Sequence, residues 1–407
     1  MSRPERAIAD LRELAALTGD GAGAQRVAWT DGWQRARAWL ESKLAELPVS
    51  VDTDAAGNLW ATLPGEGDGF VAVGSHLDSV PDGGWLDGAL GVVAGLELVR
   101  ALAETGARPP LSVRLVDWAD EEGARFGRSL FGSTAASGTL DVDDLRGVAG
   151  LEDALREHGV ELSRATAAGR ELAGARAYLE MHIEQGPVLE RRGLAVAAVD
   201  GCAGVERHSI RLVGQAAHAG AAPMDMRRDP LVAAGRAIAE VADLAVAEGA
   251  TATVGRIAAE PGIVTIVPGA VELTIDLRHP DAAVLARLQE RARSTFGQHA
   301  ADAGVTVEWD PQWRIEPVPF DVELVALARS ACQDAGAEPF TMTSGALHDA
   351  AAMAPLVPTV MLFVPSIGGI SHSAVEDTSE ADLATGVLAL DSLLARTLEW
   401  AVMRASG

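Results

Sequence analysis

Histidines and carboxylates recur in this chain where apolar runs end. In "VAVGSHLDSVPDGGWLDGALG", His76 and Asp78 stand two apart at the end of a run, so a strand turns both to one side. Asp87 follows in a glycine-rich loop just ahead of a helical pattern. "LSVRLVDWADEEGARFG" ends in three consecutive carboxylates, Asp120, Glu121 and Glu122. Like charges in a row repel, and burying them is costly unless something positive faces them. "YLEMHIEQG" carries His182 with Glu180 and Glu184 at alternate positions, and "FVPSIGGISHSAVEDT" sets His372 in a Gly/Ser loop. Each segment has a plain structural alternative: Asp87 as a helix cap, the acidic triplet as a solvated turn, His182 as a packed strand residue. The combination says more. If four such strand ends converge, three imidazoles and two or three carboxylates meet, a donor set suited to Zn, Mn, Co or Ni. Two such ions about 3.5–4 Å apart with a bridging carboxylate form a recurrent hydrolytic site.

The elements that must position these groups alternate between strand and helix. "MSRPERAIADLRELAAL" reads as an amphipathic helix, "VSVDTDAAGNLWATLPG" and "FVAVGSHLDSV" as strands, and "LGVVAGLELVRALAETG" as a long helix. A helical stretch is expected over about 139–172, then the strand "ARAYLEMHIEQG". This alternation predicts an α/β domain with helices covering a largely buried sheet, and ligand sites in such sheets form beyond the carboxyl ends of the strands.

From about 205 to 315 the pattern changes. "HSIRLVG" is a short strand, and "PMDMRRDPLVAAGRAIAEVADLAVAEG" opens with Pro and continues as a helix. "TATVGRI" and "AVELTIDLRH" are strands, "PDAAVLARLQERARSTFGQHAADAG" is a helix with Pro at its start, and "VTVEWD" closes the set. The order β-α-β-β-α-β is a ferredoxin-like unit. The remainder returns to α/β, so residues 205–315 are expected as an insertion in a domain made of 1–204 and 316–407.

Composition narrows the partners. The 407 residues carry a formal net charge of −25, which disfavours nucleic acid and anionic membrane as ligands. No apolar run approaches transmembrane length, and the N-terminal stretch lacks a secretory apolar core and cleavage site, so a cytoplasmic protein is expected. Cys202 and Cys332 are too few for a disulfide framework.

The segments "GSHLDSVPDGGWLDGALGVVAGLE", "DEEGARFG", "HIEQGPVLE", "GQAAHAGAAPMDMRRDP", "IDLRHPD", "SGALHDA" and "GISHSAVE" occur in an order and spacing that resembles one family across nearly the whole chain. It is the metal-dependent amidase branch of the aminopeptidase/acylase superfamily. That branch of hydantoinase/carbamoylase-type amidases contains N-carbamoyl-L-amino acid hydrolases, allantoate amidohydrolases and β-ureidopropionases. The resemblance implies a mixed-sheet, di-metal aminopeptidase-like catalytic domain with an inserted ferredoxin-like lid and dimerisation domain. It implies two divalent ions per subunit (Mn, Co, Ni or Zn) with Asp87 bridging, His76 and His182 completing one site, and Glu122 and His372 the other. Glu121 is then the general base acting on a metal-activated water, and Asp78 a partner that orients and polarises His76. Gln185 contacts the carbamoyl or amide end of the substrate. His218 of "AHAG" stabilises the oxyanion, Arg278 of "DLRH" holds the substrate carboxylate, and Gly369 lies among the substrate contacts. Some of these groups reach the site from a partner subunit in such enzymes, which implies a homodimer formed through the inserted domain. Asp120 is expected as a solvated or neighbouring carboxylate without a catalytic role.

The departures fall at substrate positions. Thr265 stands where the family has Asn, Leu347 where Gly is usual, and Ala374 where Pro is common. A hydroxyl cannot offer both the donor and the acceptor of a carboxamide. The expected activity is hydrolysis of linear C–N amide bonds in a small ureido acid or amide. An N-acyl amino acid hydrolase or a dipeptidase or aminopeptidase with the same metal chemistry is the near alternative, and a non-catalytic metal-binding scaffold the remote one.

Overall fold

The computed structural model describes residues 1–405, which form two compact units, 1–201 with 319–405 and Cys202–Val318. In the first unit the central strands are Thr359–Val364, Ala175–Ile183, Gly67–His76 and Leu111–Trp118, neighbours in that order and all parallel. Antiparallel strands flank them: Ala197–Cys202 beyond Thr359–Val364, and Leu59–Leu63 with Ser50–Thr53 on the other side. The parallel strands are short apolar runs because both faces are covered. Val71, Val73, Leu115, Leu179, Met181, Leu362 and Val364 pack with Leu11, Leu14, Val92, Val93, Leu96, Leu390 and Leu393 from the helices Pro4–Thr18, Ala89–Glu104 and Glu380–Ala405. Since the four central strands run the same way, their carboxyl ends share one edge. His76, the acidic triplet, His182 and the loop bearing His372 all leave the sheet there.

The second unit has the strands Gly204–Val213, Thr251–Glu260, Ala270–His279 and Thr306–Ile315 in an antiparallel sheet, in the spatial order second, third, first, fourth. The helices Pro230–Glu248 and Ala282–Asp302 bury Ala233, Ala237, Leu288 and Phe296 against Ile210, Leu212, Leu273 and Ile275.

Several elements differ from their sequence pattern. "PMDMRR" is not the start of a helix. The helix begins at Pro230, where the Asp229 side chain caps the amides of Leu231 and Val232. The preceding residues form a loop closed by Arg227, which donates to the carbonyls of Ala219 and Ala222. Pro280 likewise precedes the cap, Asp281, rather than opening the helix. The stretch 139–172 holds two short helices, Val142–Leu145 and Leu151–Glu157, and a 3₁₀ segment Leu162–Leu172, because glycines at 147, 150 and 159 take left-handed φ and interrupt any single helix.

Candidate metal centre

His76 is the last residue of its strand, and its ring lies 5.8 Å from that of His182 on the neighbouring strand. The loop that follows returns Asp87 beneath both rings. Gly88, with φ +63°, is pressed so closely on the His76 ring that any side chain there would overlap it. The Gly88 N–H points at His182 Nε2, 3.2 Å away.

Two groups of donors result, and Asp87 belongs to both. His76, Asp87 and His182 are one, all buried; Asp87, Glu122 and His372 are the other. Asp87 Oδ1 faces the first group, 3.1 Å from His182 Nε2 and 3.7 Å from His76 Nε2. Asp87 Oδ2 faces the second, 3.4 Å from His372 Nε2, which is itself 3.4 Å from Glu122 Oε2. Glu121 belongs to neither group, but its Oε2 lies 3.7 Å from His76 Nε2. Gln185 and His372 hold left-handed φ values of 59° and 53°, a backbone cost that persists only where the surroundings impose it.

Asp78 does something the sequence did not suggest. Its carboxylate is 3.6 Å from His76 Nδ1, whereas its main-chain carbonyl is 3.0 Å from that nitrogen. The carboxylate also accepts the amides of Glu121 and Glu122, each at 3.1 Å. It therefore braces the backbone that carries the acidic pair. Asp120 is not solvated: it is 2 % exposed, has a φ of 57°, and its Oδ2 accepts the Trp29 indole N–H at 2.7 Å.

Burial and crowding set the protonation of the cluster. Burial, reinforced by the neighbouring charges of Glu122, Asp349 and Asp78, holds Glu121 well above the usual carboxylate range. Burial and then Asp87 push Glu122 up to about 8; burial and Asp78 push Asp120 up to about 7. Burial alone would also raise Asp87, yet the rings of His182, His76 and His372 outweigh it and keep the carboxyl ionised. Burial opposes charge on His76, but Glu121, Asp78 and Asp87 prevail and raise it. The raised proton affinities of Glu121, Glu122, His76 and His182 thus offset charge crowding that divalent cations would relieve otherwise. Among the described residues the buried atoms Glu122 Oε1 and Gln185 Oε1 have no hydrogen-bond partner. The donor set and these orphaned oxygens fit divalent ions.

Gln185 donates from Nε2 to Asp87 Oδ2 at 2.9 Å and lies 3.4 Å from His372 Nε2. Gly369, with φ 66°, packs against the backbone of Gly186 and Pro187 behind it. Leu347 is half-buried in the turn before His348, and Ala374 is exposed. Two neighbours of Asp87 escaped the sequence reading: Ser371 and Glu376, on either side of His372. The signal available was their place in "GISHSAVE", a hydroxyl and a carboxylate close to a candidate ligand.

His218, Thr265 and Arg278 belong to the second unit. His218 sits on a two-residue ribbon, paired with Ile266, and the Ala219 amide donates to the Thr265 carbonyl at 2.8 Å, so His218 and Thr265 are brought together. His218 Nδ1 accepts the amides of Gly220 and Ala221 at 3.1 and 3.2 Å. With Nδ1 engaged as an acceptor, Nε2 is the ring nitrogen left to donate. Arg278 stands near the end of its strand with Nε 2.7 Å from Asp276 Oδ1.

Comparison with known proteins agrees with this architecture. The model of the peptidase family M20/M25/M40 matches residues 72–396. An N-carbamoyl-L-amino acid amidohydrolase of Geobacillus stearothermophilus is 37% identical over 372 residues, 89% of this chain and 91% of the relative. An allantoate amidohydrolase of Escherichia coli is 34% identical, over 95% of this chain and 96% of its own length. Among solved structures, a hydantoinase/carbamoylase-family amidase from Burkholderia multivorans superposes with a TM-score of 0.89 at 31% identity, covering 97% of this chain and 98% of that one.

Proposed function

The chain belongs to the peptidase family M20/M25/M40, and on that premise we propose that it hydrolyses N-carbamoyl-L-amino acids, with the wider class being linear C–N amides. It is a hydrolase of non-peptide C–N bonds, as its amidohydrolase relatives are. The observation that carries the metal-dependent reading is Asp87, whose two oxygens each face a separate set of donors.

In this reading His76, Asp87 and His182 hold one divalent ion and Asp87, Glu122 and His372 a second, Mn, Co, Ni or Zn. Ions held there would polarise the scissile carbonyl and acidify the attacking water. Glu121 takes the proton of that water at Oε2 and passes it to the leaving nitrogen. Burial and the surrounding carboxylates raise its affinity for protons in the metal-free centre; to act as base it must be ionised, the state that the charge of bound cations would favour. Asp78 keeps Glu121 and Glu122 in register through their amides. His218 offers its Nε2–H to the oxyanion, Gln185 its carboxamide to the ureido end, and Arg278 its guanidinium to the substrate carboxylate. Thr265 and Gly369 complete the substrate contacts.

The second unit serves as lid and dimerisation domain in this proposal. Val246, Ile257 and Val264 are exposed on it, and the strand Thr251–Glu260 is a sheet edge, features that suit a homodimer contact. No helix among the described residues is long and apolar enough to cross a membrane; we place the enzyme in the cytoplasm. The deciding experiment assays N-carbamoyl amino acids, allantoate, N-acyl amino acids and dipeptides with Mn, Co, Ni or Zn. Turnover of carbamoyl amino acids to amino acid, ammonia and carbon dioxide is expected. Turnover confined to N-acyl amino acids or dipeptides overturns the substrate assignment.

A further inference from the structure

Asp87 is held by two residues that are themselves members of neither donor group. Glu376 is 2 % exposed, and its Oε1 accepts the amides of Leu86 at 3.1 Å and Asp87 at 3.0 Å. Its other oxygen, Oε2, lies 3.0 Å from Ser371 Oγ, and that hydroxyl lies 2.8 Å from Asp87 Oδ2. The Ser371 hydroxyl, with one proton to donate, thus lies between the carboxylates of Asp87 and Glu376, and Glu376 holds the backbone of Asp87. Gly84 is packed so tightly on the Glu376 carboxylate that a side chain there would overlap it.

We propose that Glu376 and Ser371 are positioning residues for Asp87. Glu376 fixes the stretch of backbone from which Asp87 projects, and Ser371 fixes the rotation of its carboxylate. A carboxylate free to rotate about its Cβ–Cγ bond presents both oxygens to both sets of donors in turn. Locked by Ser371, Oδ1 faces His76 and His182 while Oδ2 faces Glu122 and His372. Gln185 also donates to Oδ2, but from a side chain whose other end is unpaired and which the proposed function assigns to substrate. Ser371 and Glu376 therefore set the geometry of the shared ligand before substrate arrives. Hydrogen-bonding partners behind a ligand typically change metal affinity by about 10–100-fold when removed. The inference rests on the reading of Asp87 as a ligand common to both groups.

The test is binding of Mn²⁺ and Zn²⁺ alone, by competition with a chromogenic chelator, to the full-length wild type and to Ser371→Ala, Glu376→Ala, Glu376→Gln and Asp87→Ala. Unfolding midpoints of the metal-free proteins run alongside. Ser371→Ala and Glu376→Ala should weaken binding about 10–100-fold. Glu376→Gln should restore it to within about threefold of wild type. Its carboxamide oxygen can still accept the two amides, and its NH₂ can donate to Ser371 Oγ, leaving the hydroxyl proton for Asp87. If Glu376→Ala does not fold, the loss in Ser371→Ala and the retention in Glu376→Gln carry the inference. Wild-type affinity in Ser371→Ala overturns it, as does a Glu376→Gln protein as weak as Glu376→Ala. A wild type that binds no more tightly than Asp87→Ala would instead remove the metal reading itself.

Discussion

Asp78 gives the sharpest test of how the centre is built. Its carboxylate is 1 % exposed and accepts two amides, those of Glu121 and Glu122, each at 3.1 Å. In Asp78→Ala both amides lose their partner in a buried place. An unsatisfied buried donor costs about 1–3 kcal/mol, so the pair costs about 2–6 kcal/mol. In Asp78→Asn the carboxamide oxygen serves one amide while its NH₂ confronts the other, so about one such penalty, roughly 1–3 kcal/mol, is expected. Urea unfolding of the first unit, followed by tryptophan fluorescence on metal-free protein, reads the difference. Mn²⁺ affinity measured on the same samples should fall in the same order, because Glu122, a ligand in the proposed function, sits on the displaced backbone. An Asp78 that served only to polarise His76 would spare the backbone. Stability of Asp78→Ala within about 0.5 kcal/mol of wild type, or equal to that of Asp78→Asn, refutes the bracing argument.

Glu121→Gln should retain Mn²⁺ binding and lose about 10²–10⁴-fold in kcat, read by ammonia release from a carbamoyl amino acid; near-normal turnover removes Glu121 as the base. Arg278→Lys should raise KM for carboxylate-bearing substrates with little change in kcat, since an ammonium cannot reproduce the two-pronged grip, and equal KM values in both proteins count against the assignment. In the second unit, His208 is 2 % exposed, with neither ring nitrogen in a hydrogen bond although Nε2 is 3.2 Å from Glu206 Oε2. Burial depresses its pKa below the usual histidine value. The unfolded chain then binds the proton more readily, so the contribution of His208 is fully present above about pH 6.5 and is lost as pH falls below it. Urea midpoints of wild type should drop between about pH 7 and pH 5, and the drop should shrink in His208→Gln; parallel curves for the two proteins contradict this.

Much of the centre was legible in the sequence because ligand chemistry depends on residue type and on position relative to a strand end. His76, the acidic triplet, His182 and His372 stand at or beyond the ends of apolar runs, and parallel strands carry such ends to one edge, whereas Asp87 lies in a loop ahead of a helix and the choice of Glu122 within the triplet came from the family resemblance. The alternating α/β order and the β-α-β-β-α-β insert were equally visible, since apolar periodicity and turn residues are local. Boundaries were less so. "PMDMRR" contains helix-forming residues, yet Asp229 and Pro230 start the helix later, and only the carbonyl contacts of Arg227 show why the preceding stretch stays a loop.

What only the tertiary structure decided is how identical residue types divide their work. Asp120, Glu121 and Glu122 are three adjacent acids in the sequence. One accepts an indole N–H, one stands beside His76 and one joins His372, because the chain turns at a left-handed Asp120 and Asp78 holds the next two amides. Trp29 lies 91 residues from Asp120, Asp78 lies 43 and 44 residues from the two amides it holds, and Glu376 lies 289 residues from the amide of Asp87 that it holds. Composition and periodicity report what a residue can do locally. Whether a carboxylate braces a backbone, faces a cation or meets solvent depends on which distant groups the fold packs against it, and on the low polarity in which they meet.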